Sequence, residues 1–351
     1  MNAKNEHPQE TFVQLSTRAK NRLEAFPTGW FVIAFSDELK PGTILSRKFM
    51  GQDLVAYRTE SGDAVVSDAF CPHMGAHFGH GGRVEGEEIV CPFHGFAFGP
   101  EGQCTRTGYG TAPPRKARLR MWHVREQNGI VLVWHHASFA PPTWEVPVFD
   151  DSGYSSLAHH EWHIEANPYD TAENSVDIGH FAAVHGYSDV EMLSPLETDG
   201  PFLTVRYAMK RPAGIFGRRG KMRAEFTIIK WGLGFSLVEV SVPEHGLRSR
   251  HYVFPTAMDE RMLSAKIAIR TKGMEHPESI HPLLRFVPKT ILREGVLRAS
   301  MIGYKHDVSQ DFEIWKNKTS IARPALAEGD GPIYAYRKWT EQFDPRNEAR
   351  A

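Results

Sequence analysis

The first half of the chain alternates short apolar runs with turn residues. Between Trp30 and Trp134 these runs are rich in β-branched and aromatic residues, and they read WFVIAF, DLVAYRTE, DAVVSD, EEIVCPF, FAFGPEGQC and GIVLVWH. Closely spaced short runs of this kind are typical of antiparallel strands. Gly102 and the Asn128-Gly129 pair supply the turn chemistry of hairpins. The pattern predicts a small all-β domain.

A group of prolines interrupts this pattern at Pro141, Pro142 and Pro147. Such a stretch commonly forms an extended connection between domains. We therefore expect a first domain at 28–140 and a second at 150–345.

The second half mixes strand-like and helical patterns. A helix is expected around 170–185, and a mostly helical region begins near residue 279. Between them the strand-like runs are FLTVRYAM, RAEFTIIKW, FSLVEVSV, SRHYVFPTA and RMLSAKIAIR. Several antiparallel strands followed by helices predict an α+β domain, with helices packed over one sheet.

Composition narrows the functional class. The chain of 351 residues has 41 basic and 42 acidic residues and a net charge of −1, so nothing in it favours nucleic acid or anionic membranes. The densest basic stretch, 211–223, is expected to be a solvated hairpin loop; a docking patch for an acidic redox partner is the alternative. The N-terminus lacks a signal peptide's apolar core, and GWFVIAF is too short to span a bilayer. A soluble protein is expected.

Two of the three cysteines lie in a histidine-containing segment, CPHMGAHFGHGGRVEGEEIVCPFHG. Cys71 and His73 form one pair, and Cys91 and His94 form the other. Cysteine held in such a site cannot join a disulfide framework, which favours a reducing, cytoplasmic setting. Thiolate and imidazole select zinc, copper or an iron–sulfur centre.

Zinc is the main alternative to a cluster at this segment. Zinc fingers usually present two cysteines and then two histidines on a helix, whereas here the order alternates and glycine and proline surround the ligands. Two loops with one cysteine and one histidine each suit a two-iron cluster of the Rieske kind. The segment resembles a Rieske [2Fe–2S] domain.

A second group of candidate ligands lies in AENSVDIGHFAAVHG, where Asp177, His180 and His185 follow a three- and five-residue spacing. On a continuous helix five residues is a turn of about 140°, so both histidines could face one point only if the helix is widened or broken between them. Taken alone, such histidines are more often ordinary surface or core residues. A Rieske cluster, however, needs an electron acceptor, and two histidines with one carboxylate hold non-haem iron in oxygenases.

With Asn174, these three residues resemble the mononuclear-iron motif of Rieske non-haem iron oxygenases. The resemblance covers about 28–345 and implies an N-terminal Rieske domain and a C-terminal helix-grip catalytic domain. It implies that His180 and His185 bind Fe(II), that Asn174 lies near the iron, and that Asp177 passes electrons between a neighbouring subunit's cluster and the iron. A homotrimer is therefore expected.

The third iron ligand should be an acid in KHDVSQDFEIWKNK, which offers Asp307, Asp311 and Glu313. The family context, similar to Gln-Asp-x-x-Ile-Trp, selects Asp311. For Asp307 and Glu313 a solvated helix face is the expected role.

The resemblance implies a terminal mono- or dioxygenase that uses O2 and electrons from NAD(P)H. Electrons would come through a separate flavin reductase, with or without a ferredoxin, because the chain has no dinucleotide fingerprint. The alternative is a Rieske electron carrier or redox sensor whose C-terminal domain only binds a ligand.

The C-terminal run and HMGAHFGHGG are most similar to the branch with 3-ketosteroid 9α-hydroxylases and sterol 7-desaturases, which implies a large apolar substrate. Hydroxylation, desaturation and demethylation share the same ligands. The aromatic residues considered for a pocket wall are Phe202, Phe216, Phe226, Trp231 and Phe235, with plain core packing as the alternative. Two departures from relatives are Phe96, where many carry tryptophan, and the missing membrane anchor of the animal desaturases.

Overall fold

The structure, a computed structural model, describes residues 23–212 and 221–348. The predicted α+β organisation is confirmed: an N-terminal part of short antiparallel strands precedes a large antiparallel sheet and a helical C-terminal region. No helix in these ranges is long and apolar enough to cross a bilayer.

The N-terminal part contains three small antiparallel sheets, ordered β1-β10-β9, β2-β3-β4 and β5-β6-β7-β8. The strands are β1 (Gly29–Phe35), β2 (Ile44–Phe49), β3 (Gln52–Arg58), β4 (Ala64–Asp68), β5 (Arg83–Glu85), β6 (Glu88–Val90), β7 (Ala97–Phe98), β8 (Cys104–Arg106), β9 (Val124–Gln127) and β10 (Ile130–His135). Asn128 and Gly129 both have positive φ, 52° and 79°, as a two-residue hairpin turn requires.

The second part is built on a seven-stranded antiparallel sheet in the order β11-β17-β16-β15-β14-β13-β12. Its strands are β11 (Ala158–Glu165), β12 (Ser188–Asp199), β13 (Phe202–Pro212), β14 (Lys221–Trp231), β15 (Phe235–Val242), β16 (Leu247–Ala257) and β17 (Met262–Gly273). The helices are α1 (Pro168–Glu173), α2 (Gly179–Ala183), α3 (Lys289–Ser309), α4 (Phe312–Asn317), α5 (Ile333–Thr340) and α6 (Pro345–Glu348).

The basic stretch at 211–223 lies between β13 and β14, where Pro212 pairs with Lys221. Residues 213–220 are outside the described ranges, so the predicted loop and its alternative as a docking patch stay predictions. Residues 1–22, considered for a signal peptide, are also outside these ranges.

The two expected domains share their hydrophobic core. On one side of the large sheet, Trp30 and Leu132 of the N-terminal strands pack with Phe235, Tyr252 and Phe254. A second cluster joins buried side chains of β1 to those of β13 and α5. The opposite face of the sheet is left for the helices and for a cavity.

Candidate metal centres and cavity

Two N-terminal loops fold alike and bring the predicted cysteine and histidine ligands together. Each loop reads Cys-Pro-x-x-Gly, and the glycine amide donates to the cysteine carbonyl, Gly75 to Cys71 at 2.9 Å and Gly95 to Cys91 at 3.2 Å. Both glycines have positive φ, 76° and 65°, which other residues adopt only at a cost. The glycines therefore close two matching turns that present the ligands.

The four side chains of these loops have the properties of metal ligands. The thiols of Cys71 and Cys91 are buried neighbours without a disulfide. Burial, with a contribution from Cys91, raises the pKa of the Cys71 thiol to about 12, so a thiolate here needs a cation beside it. The rings of His73 and His94 lie 4.8 Å apart, and each has a buried Nδ1 without a hydrogen-bond partner.

The four donors come as two pairs, the neighbouring thiols of Cys71 and Cys91 and the facing imidazoles of His73 and His94. A pair of thiols beside a pair of unpartnered imidazole nitrogens suits a [2Fe–2S] cluster.

Neighbouring residues hold the histidines of this site in place. The ring of Phe96 stacks on His73 at 4.1 Å with an interplanar angle of 8°. Phe96, which stands where many relatives carry tryptophan, therefore still supplies an aromatic ring beside this histidine. Gly108 lies so close to the second loop that a Cβ there would be 2.2 Å from the carbonyl oxygen of His94. The site leaves no room for a larger residue at this position.

In the second site, a helix ends between the two predicted histidine ligands. His180 lies in α2, which ends at Ala183, and His185 follows the end of the helix. The interruption expected from their five-residue spacing is therefore present. It lets the two rings turn toward one point, with 5.1 Å between their centres.

Asp311 completes this group at the start of α4. One ligand atom from each of His180, His185 and Asp311 lies within 4.8 Å of the others, and Asp311 Oδ2 is 3.7 Å from His185 Nε2. Two imidazoles and one carboxylate are the ligand set of non-haem iron with open coordination positions.

Hydrogen bonds orient both histidines toward this point. His180 Nδ1 donates to the backbone carbonyl of Asp177 at 2.6 Å, and His185 Nδ1 donates to Oε1 of Gln310 at 2.9 Å. Because both partners are acceptors, the proton lies on Nδ1 and the lone pair of each Nε2 is free. Such outer hydrogen bonds are typical of histidines that bind a metal.

The buried carboxylate of Asp311 also fits a cation site. Burial raises its pKa, and the nearby His185, His180 and Asn174 only partly offset that effect. Asn174 accepts a hydrogen bond from Trp315 Nε1 at 3.2 Å, which fixes the amide beside Asp311. A bound cation would supply the charge that keeps the carboxylate ionised.

The other two candidate acids are not grouped with the two histidines, and the expected solvated helix face is wrong for Asp307, whose side chain is half-buried. Asp307 accepts hydrogen bonds from the Tyr187 hydroxyl and the Arg211 guanidinium, both at 2.8 Å. Glu313 is exposed on α4. The structure thus places Asp311, and not these two, beside both histidines.

Asp177 lies at the edge of this site with its side chain 35% exposed. Burial would raise its pKa, but hydrogen bonds and the proximity of His180 outweigh burial and lower the pKa. The carboxylate therefore stays ionised and faces both His180 and the protein surface.

A cavity of about 1010 Å³, measured to its open mouth, lies between the large sheet and the helices. Its wall contains the two histidines and Asp311, polar side chains that include Lys230 and His251, and many apolar side chains. The apolar wall includes Phe181, Met209, Phe226, Ile228, Val238, Val240, Val253 and Val308.

Of the aromatic residues considered for the pocket wall, one lines the cavity and three do not. Phe226 lines the cavity, whereas Phe202, Trp231 and Phe235 are on the other face of the sheet. There Trp231 packs against Phe202 and Phe149, and Phe235 stacks on Phe149. Side chains alternate between the two faces of a strand, so Phe226 and Trp231, five residues apart, point in opposite directions. Phe216 is outside the described ranges.

Two residues of the site were missed in the sequence. Gln310 precedes Asp311 in the Gln-Asp-x-x-Ile-Trp context, which was the only signal for it. Lys230 follows Phe226 and Ile228 at alternating positions of β14, so a lysine among inward-facing positions was the available signal.

Two family models match the chain. The model of the 3-Ketosteroid 9alpha-hydroxylase C-terminal domain matches residues 133–343, and that of the Rieske [2Fe-2S] domain matches residues 29–120. A cholesterol 7-desaturase of Xenopus laevis is 30% identical over 343 residues, which cover 92% of this chain and 72% of the relative. The oxygenase component of 3-ketosteroid-9-alpha-monooxygenase from Rhodococcus rhodochrous is 28% identical, with 91% of this chain and 80% of the relative covered.

Solved structures share the fold. Dicamba monooxygenase bound to dicamba aligns with a TM-score of 0.67 at 20% identity, over 93% of this chain and 100% of that one. NdmA of Pseudomonas putida CBB5 with caffeine aligns with a TM-score of 0.68 at 18% identity, over 89% of each chain.

Proposed function

Since the chain belongs to the family of Rieske oxygenases with a 3-ketosteroid 9alpha-hydroxylase C-terminal domain, we propose that it hydroxylates a hydrophobic, steroid-like substrate. It is the oxygenase component of a system in which a separate reductase or ferredoxin supplies electrons from NAD(P)H. The observation that carries the substrate proposal is the largely apolar cavity that contains His180, His185 and Asp311 in its wall.

We assign the two metal groups to the two sites described above. Cys71, His73, Cys91 and His94 would hold the [2Fe–2S] cluster, and His180, His185 and Asp311 would hold Fe(II). When bound, the cluster supplies electrons and the iron activates dioxygen. The chain's own part is to orient these ligands, position the substrate and keep bulk water from the reacting carbon.

Asp177 is proposed to connect the two metal sites across a subunit boundary. Its backbone carbonyl accepts from the His180 imidazole, and its carboxylate extends to the surface. In this role the carboxylate would accept a hydrogen bond from a cluster-binding histidine of a neighbouring chain. The route would then need no large movement of either site.

A homotrimer is proposed on the same ground. Around His73 and His94, the side chains of Met74, Phe93 and Tyr109 are 65%, 63% and 60% exposed. Large apolar side chains gathered at one surface commonly mark a protein contact. A head-to-tail contact would cover them and bring one chain's cluster to the next chain's Asp177.

The free cysteines support a reducing, cytoplasmic compartment.

The substrate class is proposed from the relatives and from the cavity. Relatives that cover most of the chain are a sterol desaturase and a ketosteroid monooxygenase by name. The sheet side of the cavity offers Ile228, Val238 and Val253 as apolar surface, which suits a flat, fused-ring body. Asn174, beside Asp311, would fix the carboxylate while the substrate binds. Hydroxylation is preferred to desaturation or demethylation because the ketosteroid hydroxylase model covers residues 133–343.

The test measures iron, zinc and acid-labile sulfide in anaerobically purified protein. We expect about three irons and two sulfides per chain in the wild type, for one two-iron cluster and one mononuclear site. His180→Ala should retain the cluster spectrum, hold about two irons and give no product from a steroid and aromatic panel with a surrogate reductase. The control His306→Ala, exposed on α3, should match the wild type. Zinc without sulfide, or product formation by His180→Ala, would contradict the proposal.

A further inference from the structure

Lys230 is a buried lysine in the wall of the cavity. It lies near the end of β14, opposite Leu203 of β13 and Ser236 of β15, and only 2% of it is exposed. Phe226, Ile228 and Lys230 occupy alternate positions of β14 and all line the cavity. The side chain thus belongs to the same chamber as the proposed iron ligands.

No carboxylate of the described residues pairs with Lys230. Both acids in the cavity wall are engaged elsewhere, Asp307 with Arg211 and Tyr187, and Asp311 with His185 and Asn174. Burial alone lowers the pKa of the Lys230 ammonium to about 7. A buried, unpaired cation is costly for a fold to keep.

Lys266 shows how the same fold stabilises a buried lysine that has only a structural role. It is also 2% exposed, but its Nζ lies 3.0 Å from Glu161 and donates to the hydroxyl of Ser264. Lys266 does not line the cavity. The two lysines have equal burial, and the difference between them is that Lys230 lines the cavity whereas Lys266 is paired with a carboxylate.

We propose that Lys230 anchors a carboxylate of the substrate, so that the molecule oxidised in this cavity is an apolar acid. This inference rests on the proposed function and narrows its substrate class. A carboxylate would supply the charge that the protein does not, while Ile228, Val238 and Val253 would contact the apolar body. The neighbouring Ser236 hydroxyl offers a second donor. Lys230 would thereby select the substrate and fix which carbon faces the iron ligands.

The first test measures binding by calorimetry under anaerobic conditions, with holoenzyme and without a reductase. The probes are deoxycholate, naphthoate and laurate, each paired with its methyl ester, so that the carboxylate is the variable within a pair. The wild type should bind at least one acid about tenfold or more tightly than its ester, as a charge-assisted hydrogen bond predicts. Lys230→Met should bind that acid and ester equally, and Lys230→Arg should retain part of the preference.

The second test separates this role from a structural one. Lys230→Met keeps an unbranched side chain without the charge, so its Tm should rise. The matched control Lys266→Met removes the cation that pairs with Glu161, so its Tm should fall while the preference for the acid stays. A lower Tm for Lys230→Met would contradict the assignment.

The remaining outcomes are also decisive. The proposed role of Lys230 would be overturned if the wild type bound acid and ester equally in all three pairs, or if it bound no probe. It would also be overturned if the preference for the acid survived in Lys230→Met. Iron content and product formation test the proposed function separately from the anchor. A chain with three irons that oxidises esters as well as acids keeps the function and loses the anchor. A Lys230-dependent preference in a chain that binds no mononuclear iron keeps the anchor and loses the function.

Discussion

The imidazole of His185 and the side-chain amide of Gln310 are joined by a 2.9 Å hydrogen bond across 125 residues of sequence. Gln310 immediately precedes Asp311, so the residue that orients one proposed ligand is the neighbour of another. The end of α3 and the loop after α2 are thereby held at the distance that the proposed iron site needs.

Gln310→Leu should therefore weaken iron binding at this site. Without its acceptor, His185 Nδ1 loses the bond that fixes the ring, and such losses typically reduce metal affinity by about 10–100-fold. Iron retention against a chelator measures the effect, with Gln310→Glu as the control because it keeps an acceptor at the same reach. Equal retention by Leu and Gln would show that the bond does not orient the site.

Asp177→Asn should keep both metal groups and slow electron transfer between them. The amide is nearly the same size but carries no negative charge, so it loses the charge-assisted bond that we propose to a neighbouring histidine. Stopped-flow reoxidation of the reduced cluster with substrate and dioxygen should become at least tenfold slower. A rate unchanged from the wild type, at full iron content, would remove Asp177 from the electron route.

Substitutions of Asp311 and Asp307, in the α3–α4 region, should have different effects on iron content. Asp311→Ala should lower the iron content from about three to about two per chain, because a two-histidine site without a carboxylate holds Fe(II) weakly. Asp307→Ala should keep about three irons, because Asp307 is bonded to Arg211 and Tyr187. Reversed results for the two variants would move the ligand to Asp307.

Gly108→Ala should disrupt the cluster site although Gly108 holds no metal. The added Cβ would lie 2.2 Å from the carbonyl oxygen of His94, so the second ligand loop must shift. We expect a loss of more than half of the visible absorbance of the cluster and of the acid-labile sulfide. The control Gly295→Ala has free space for its Cβ and should stabilise α3 by about 0.5–1 kcal/mol.

The stability of the wild type relative to Lys230→Met should depend on pH. Burial lowers the pKa of Lys230 to about 7 in the folded chain, whereas the ordinary lysine value of 10.5 applies to the unfolded chain, so between these values the unfolded chain binds more protons. The free energy of unfolding of the wild type should rise with pH across this window. It should be lower than that of Lys230→Met by a few kcal/mol at pH 7 and by little near pH 10. Denaturant unfolding of both proteins at the two pH values checks this. Parallel pH profiles would mean that Lys230 is not desolvated.

The sequence predicts five of the seven strands of the large sheet, and the two that it misses are the edges. β11 and β12 lie at opposite ends of the sheet, and their side chains are half-buried or exposed. Edge strands commonly carry polar residues, and β12 also contains Pro195, so neither shows an apolar run. The five central strands bury at least one face and were visible for that reason.

The candidate site shows the same division. The cysteines and histidines at 71–94 have a spacing that reflects short loops, and His180 and His185 lie on one segment, so local sequence was sufficient. The contact of Gln310 with His185 depends on which elements the fold brings together, and so does the lack of a carboxylate partner for Lys230 among the described residues. No local pattern contains that information.

The core shared by the N-terminal strands and the large sheet, with Trp30 packed among Phe235 and Phe254, has a thermodynamic consequence. Two units joined by so much apolar surface should melt in one cooperative transition, since neither can unfold without exposing the other. The visible colour of the cluster would then report on the whole chain. Its bleaching on heating should coincide with loss of the catalytic sheet's circular dichroism.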